Sequence, residues 1–366
     1  MFILIGVIFI LLYALLVFYI GWSGWKWMKP TLSLKFKLLY IFTIIFLSSS
    51  FILARLFNNL YISIIGSYWL ALFSLLLLLL PLVHITVWLL RLTSLPRHHV
   101  LKWSGVITLI LLISLLSYGS FNAFSPIIRT YDITIAKKST SSEPLKIVMA
   151  SDMHFSVLSG KNHATGMVDE INALNPDIVL FPGDIFDDQV EQYIDQGIGP
   201  ILAKIQAPYG VYASLGNHDK YEGTMAELID ILEQSNIHVL YDESITIDDR
   251  FTLIGRKDHS DPDRILLSDI MKDLDLSKPM ILLDHQPKDF DIAQQQGIDL
   301  MVSGHTHHGQ IAPANLITQR LFENDWGLLQ KHQFHSIVTS GFGFWGPPIR
   351  IGSRAEIVQI NVMFGL

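Results

Sequence analysis

Cysteine is absent from all 366 residues, which excludes both a disulfide framework and a thiolate metal site. Structural zinc of the cysteine type is ruled out, and the chain carries no signature of its redox compartment. Acidic side chains are missing from the first 124 positions, which nevertheless hold eight basic ones: Lys26, Lys29, Lys35, Lys37, Arg55, Arg91, Arg97 and Lys102. The whole chain has a net charge of −7, so the remainder carries −15. Charge is scarce overall: 16% of residues are charged, 50% are hydrophobic and the mean hydropathy is +0.39, too apolar for an ordinary soluble protein of this length. This imbalance marks two bodies in different solvents, a membrane part and an acidic aqueous domain of ordinary size. An acidic domain lacks the basic patch that nucleic-acid binding needs, so no nucleic-acid partner is expected.

The expected boundaries are an anchor over residues 1–124, a linker over 125–144 and a globular domain over 145–366. Four apolar runs, about 2–22, 36–54, 66–90 and 103–121, are long enough to cross roughly 30 Å of hydrocarbon. The first lacks the basic start and small-residue cleavage site of a signal peptide, so it reads as a retained helix. Four lysines follow span one and Arg91, Arg97 and Lys102 follow span three, whereas only Arg55 follows span two. Basic loops stay in the cytoplasm, which places the N-terminus and the C-terminal domain outside. His84, near Pro81, is the ionisable residue inside a span; a kink with a hydrogen-bonded histidine accounts for it, and a transporter would need more.

Beyond residue 144, short apolar runs rich in branched side chains begin at Leu145, Ile178, Val211, Phe251, Met280, Leu300 and Ser336. Helical stretches lie between them, at about 161–174, 222–235, 264–274 and 287–296. The alternation predicts α/β layers with a site at the C-terminal ends of the strands.

Oxygen- and nitrogen-bearing motifs stand where such a site belongs. Asp152-x-His154 follows the first run and Gly183-Asp184-x-x-Asp187 the second; Gly216-Asn217-His218-Asp219 follows the third, His285 the fifth and Gly304-His305-x-His307 the sixth. Alone, a glycine followed by aspartate is a turn and a single histidine is structural. Together they supply seven candidate ligands, Asp152, His154, Asp184, Asn217, His285, His305 and His307, enough for two divalent cations of the Mn, Fe or Zn kind with positions left for water. His218 is then free to face substrate as a catalytic group, with Asp219 accepting its second N–H and fixing the tautomer. Asp187 reads as a cap or an outer acceptor. Gly341-x-Gly343-x-x-Gly346 formally matches a dinucleotide fingerprint, but Pro347 and Pro348 stand where its helix must start.

These ordered motifs resemble those of the calcineurin-like metallophosphoesterase superfamily, and most closely its membrane-anchored bacterial branch related to UDP-2,3-diacylglucosamine pyrophosphohydrolases. The likeness covers about residues 145–361. It implies a four-layer α-β-β-α sandwich preceded by the four transmembrane helices. It also implies one metal on Asp152, His154, Asp184 and His307, a second on Asp184, Asn217, His285 and His305, and hydrolysis by in-line attack of an activated water on phosphorus. The activity expected is a phosphoester hydrolysis on an envelope lipid headgroup or lipid-linked substrate. The alternatives are a phosphodiesterase of soluble nucleotides and a metal- or phosphate-binding membrane sensor without turnover. The family continues the last motif with a second glycine where this chain has His308, so an imidazole here narrows the pocket, touches the phosphate or faces solvent. His163, Arg256, Asp258 and His259 are loop residues within reach, with structural roles expected.

Overall fold

The computed structural model describes residues 2–29, 33–57, 59–141, 143–187, 190–219 and 224–365. The chain divides into two compact units, one of Met1–Ser120 with Gly346–Ile349, the other of Phe121–Trp345 with Arg350–Leu366.

Four helices make up the first unit: α1 (Phe2–Met28), α2 (Phe36–Phe57), α3 (Leu60–Leu90) and α4 (Arg97–Phe124), each long and apolar enough to cross a membrane. They run past the apolar segments of the sequence, α3 by the uncharged stretch Leu60–Ile65. Asn59 caps α3 by accepting from Tyr61 N and Ile62 N, and 31 residues at about 1.5 Å each give a helix longer than the bilayer core is thick. Several polar groups inside the unit pair with one another, which an apolar solvent favours. Trp69 Nε1 donates to Tyr13 Oη (2.8 Å), which donates to the Ser48 carbonyl (2.7 Å). His84 Nδ1 and Tyr19 Oη are hydrogen-bonded at 2.9 Å, one helix turn from Pro81. The expected structural role of His84 holds.

The second unit alternates strands and helices. In chain order these are β1 (Ile127–Lys138), β2 (Leu145–Met149), α5 (Lys161–Ala173), β3 (Ile178–Pro182), α6 (Val190–Asp195), α7 (Gly199–Leu202), β4 (Val211–Ser214), α8 (Met225–Glu233) and β5 (Ile237–Val239). Then come β6 (Glu243–Ile247), β7 (Phe251–Gly255), α9 (Leu267–Met271), β8 (Met280–Leu283), α10 (Phe290–Gln295), β9 (Leu300–Ser303), a 3-10 turn at His307–Gly309, α11 (Asn315–Leu321), β10 (Gly327–Lys331), β11 (Phe334–Val338) and β12 (Glu356–Gly365). They form two six-stranded mixed sheets, ordered β1-β12-β2-β3-β4-β5 and β10-β11-β9-β8-β7-β6. Successive side chains in a strand face opposite ways. Ile147, Met149, Ile178 and Leu180 of the first sheet therefore meet Leu253, Ile281, Leu283 and Leu300 of the second, while Val148, Val179 and Phe181 pack with Met167, Val168, Leu228 and Leu232 from α5 and α8. Ile254, Met280 and Leu282 do the same with Leu267, Phe290 and Ala293. The result is the expected α-β-β-α order of layers.

One expectation is corrected. The segment 125–144, read as a linker, contains the twelve-residue strand β1, which pairs in parallel with β12 over Ile127–Glu356 to Ile135–Phe364 and buries Ile133 and Ile135 in the core between the sheets. Arg129, Thr130, Asp132 and Lys137 hid it, because a strand at a sheet edge is kept polar along its open side. Only Ser125 and Pro126 separate α4 from β1.

Candidate metal centre

The five motifs end five parallel strands, β2, β3 and β4 of one sheet and β8 and β9 of the other, so their loops converge at one rim. Asp152, His154, Asp184, His305 and His307 all have positive φ, between 45° and 73°. Each such conformation costs a non-glycine residue about 1–3 kcal/mol and persists only where its surroundings impose it. Two motif glycines are part of that imposition: a Cβ on Gly216 would come 2.1 Å from Asp184 Oδ1, and one on Gly304 2.1 Å from Asp152 Oδ2.

The ligating atoms gather in two clusters, Asp152 with His154 and His307, and Asp184 with His285 and His305. Asp184 lies between them. Its Oδ2 is 3.1 Å from His285 Nε2 and 3.8 Å from His154 Nε2, while its Oδ1 accepts from His218 N at 2.9 Å. His154 Nε2 and His307 Nε2 meet at 3.1 Å, and His307 Nε2 lies 3.5 Å from Asp152 Oδ1. His305 N donates to both oxygens of Asp152. The far nitrogen of His285 is spoken for, since Nδ1 donates to the Pro182 carbonyl at 2.9 Å and leaves Nε2 to face the cluster, the usual arrangement for a ligating histidine. Asn217 Oδ1 is buried and accepts no hydrogen bond among the described residues.

Burial keeps most of these histidines neutral. It pushes His154 and His305 down to about 4 and His307 well below its ordinary value, so their lone pairs stay available. His285 is the exception. Burial acts against its charge, but the Asp184 and Asp152 carboxylates outweigh it and raise His285 to about 10. Burial, then the Asp184 charge, lifts Asp152 to about 6, whereas in Asp184 the effect of burial is overcome by His285 and His154 and the carboxyl stays below its usual range. Buried carboxylates crowded among neutral imidazoles, with an orphaned amide oxygen beside them, form a donor set that divalent cations complete.

Asp219 is corrected. Its carboxylate accepts from Asp184 N (2.8 Å), Phe186 N (2.9 Å) and Gly216 N (2.7 Å), three main-chain amides. The tight turn after β4 points it inward, under the ends of β3 and β4, so it positions the Asp184 loop instead of setting a tautomer. Burial and the Asp184 charge push it up to about 7 despite those amides. His218 remains at the rim, its ring 5.2 Å from His154 and 5.6 Å from Trp345, outside both clusters. Asp187 Oδ1 stands 3.7 Å from His154 Nδ1, the outer position expected of it.

His308 is held by neighbouring side chains and does not face solvent freely. In a left-handed conformation (φ 47°, ψ 42°), its Nδ1 bonds Asp325 Oδ2 at 3.0 Å and its ring lies 4.8 Å from Trp326. Asp258 is held by Ser260 and Gln286, Arg256 by the Ile265 carbonyl, and His259 is exposed. His163 is half-buried against Phe124, Phe342 and Phe344, and desolvation depresses it to about 4. Because the unfolded chain binds that proton from about pH 6.5 downward and the folded one does not, this site removes stability as pH falls from 6.5 to 4. The expected result is that His163→Phe lessens the acid loss by up to about 3 kcal/mol, read as melting temperature against pH; parallel curves for the two proteins would refute it.

Two residues escaped sequence reasoning. Arg350 is fully buried: Nη2 donates to His307 Nδ1 (3.1 Å) and to the Gly343 carbonyl (2.7 Å), locking the ring that carries the last ligand. Gln310 clasps the Trp345 backbone through Nε2 to O (3.0 Å) and N to Oε1 (2.9 Å). A lone arginine in an apolar C-terminal stretch and a glutamine after a glycine carry no distinguishing pattern.

Residues 145–309 match the profile of the Calcineurin-like phosphoesterase family. An uncharacterized metallophosphoesterase of Campylobacter jejuni is 32% identical over 269 residues, 70% of this chain and 69% of that protein. A transmembrane protein with metallophosphoesterase domain from Danio rerio is 31% identical over 273 residues, 70% of this chain and 62% of its own length. An uncharacterized metallophosphoesterase of Aquifex aeolicus is 31% identical over 251 residues, 64% of this chain and 94% of that protein. The chain thus spans less than two thirds of the fish protein it resembles.

Proposed function

The chain belongs to the calcineurin-like metallophosphoesterase family, and from that premise we propose that it is an anchored dinuclear phosphoesterase acting on an envelope lipid headgroup or lipid-linked phosphoester. Hydrolysis of phosphoesters with divalent metal ions follows from the family. Two ions, the substrate and the side of the membrane are our reading. The observation that carries it is the single carboxylate, Asp184, lying between two three-residue clusters.

In this reading Asp152, His154, Asp184 and His307 hold one cation, and Asp184, Asn217, His285 and His305 the other. Bound there, Mn, Fe or Zn ions lower the pKa of water and neutralise phosphoryl charge. The protein's own part is orientation and proton handling. Pro182 O fixes the His285 ring, Arg350 the His307 ring and Asp219 the Asp184 loop, while His218, outside both clusters, faces the substrate oxygens and protonates the leaving group. The acidic-free anchor with basic loops after α1 and α3 supports an outward domain, and its tether favours substrates held in the same bilayer. A nucleotide-linked lipid is the narrower form of this proposal.

Full-length protein in detergent is expected to carry two metal equivalents and to hydrolyse bis(p-nitrophenyl) phosphate. Chelation should abolish turnover and Mn should restore it; turnover that persists in metal-stripped protein would overturn the proposal. Protease treatment of intact cells should remove the domain, and protection would reverse the orientation.

A further inference from the structure

The helix α11 turns its apolar side the wrong way for a soluble surface. It grows from the ligand loop, eight residues after His307, yet none of its residues is buried. Leu316, Ile317 and Leu321 are 59%, 60% and 72% exposed. At 100° per residue these three and Arg320 share one side of the helix. What ties α11 to the domain is polar: Thr318 Oγ1 donates to Asp325 Oδ2 (2.7 Å), the same oxygen that bonds His308 Nδ1. Just beyond its end, Phe322 packs edge-on against the His305 ring at 5.9 Å. The exposed aliphatic face is therefore built onto the loop that carries two candidate ligands.

We propose that α11 is an interfacial docking element, whose Leu316, Ile317 and Leu321 enter the headgroup–acyl boundary of a bilayer and so present the adjacent centre to phosphoesters in that surface. Three observations select a bilayer over a second copy of the chain. The chain carries four helices apolar enough to span a membrane, and two residues connect the last of them to β1. The helix α11 contains no acidic residue, and Arg320 forms no ion pair among the described residues, which suits anionic headgroups. Beside His218, Trp345 is 55% exposed, and tryptophan is the side chain favoured at such interfaces. The docking is independent of the chemistry, whereas presentation of substrate rests on the lipid-linked reading above.

The absence of cysteine makes the test direct. Full-length protein with Ile317→Cys or, as a control on the exposed end of α9, Lys272→Cys is labelled with an environment-sensitive fluorophore. It is then reconstituted into phosphatidylcholine–phosphatidylglycerol vesicles with or without acyl-chain spin labels. The label at 317 should be quenched by the spin-labelled lipid and that at 272 should not. Equal quenching at the two sites, or shielding of 317 from both lipid and aqueous quenchers as in a protein contact, overturns docking. In a second arm, L316S/I317S/L321S protein should lose about tenfold or more of its turnover of vesicle-embedded hexadecyl p-nitrophenyl phosphate while keeping that of soluble bis(p-nitrophenyl) phosphate. Equal losses on both would show that α11 merely supports the fold. If the wild type hydrolyses neither probe, the phosphoesterase reading fails while the fluorescence arm still decides the docking.

Discussion

Asp184→Asn should reduce turnover by at least about 10³-fold, some 4 kcal/mol of transition-state stabilisation, and should lower the bound metal from two equivalents toward one. The geometry explains why one atom matters so much. Oδ2 sits 3.1 Å from His285 Nε2 and 3.8 Å from His154 Nε2, one contact in each cluster, so this carboxylate is placed to serve both. Asparagine keeps the shape and one oxygen, and the main chain at 184 stays tied by its N–H to Asp219. The negative charge disappears from the position shared by the two clusters. An amide nitrogen facing the histidines offers no lone pair to a cation. The measurements are turnover of bis(p-nitrophenyl) phosphate, metal content and melting temperature on the same preparation. Full metal occupancy with more than about a tenth of the activity would show that Asp184 does not serve two ions.

What the sequence made legible here was decided by local signals. The strands β2, β3, β4, β7, β8, β9 and β11 are short apolar runs buried on both faces, and such runs announce themselves. The seven candidate ligands stand out in the sequence because each follows one of those runs directly. β1 was not legible, because its open side is polar, and β12 was missed although buried, because nothing flanking it marks a turn with chemistry. The role of Asp219 was misread for a different reason. Spacing places it next to His218, but the turn sends adjacent side chains in opposite directions, one to the rim and one to three backbone amides. Arg350 reaches His307 across 43 residues of chain, a contact no local pattern encodes. Local periodicity thus reports strand ends and what they carry, and long-range packing decides which of the residues nearby act through another.

His218→Asn is the counterpart to the Asp184 substitution, since it should reduce turnover by about 10²- to 10⁴-fold and leave the metal content unchanged. The His218 ring belongs to neither cluster, while its backbone N–H donates to Asp184 Oδ1 at 2.9 Å, a bond that survives any change of side chain. The substitution therefore removes an imidazole from the rim, 5.2 Å from His154, without loosening the carboxylate between the clusters. If the imidazole protonates the leaving oxygen, the deficit must depend on how much that oxygen needs a proton. A nitrophenolate departs readily as the anion, so bis(p-nitrophenyl) phosphate should show the smaller loss; an alkyl phosphodiester, whose alkoxide is far more basic, should show the larger. A ring that merely held the loop in place would depress both substrates equally and would disturb metal content as well. Equal losses on the two substrates would remove His218 from proton transfer and leave it a positioning residue beside Trp345.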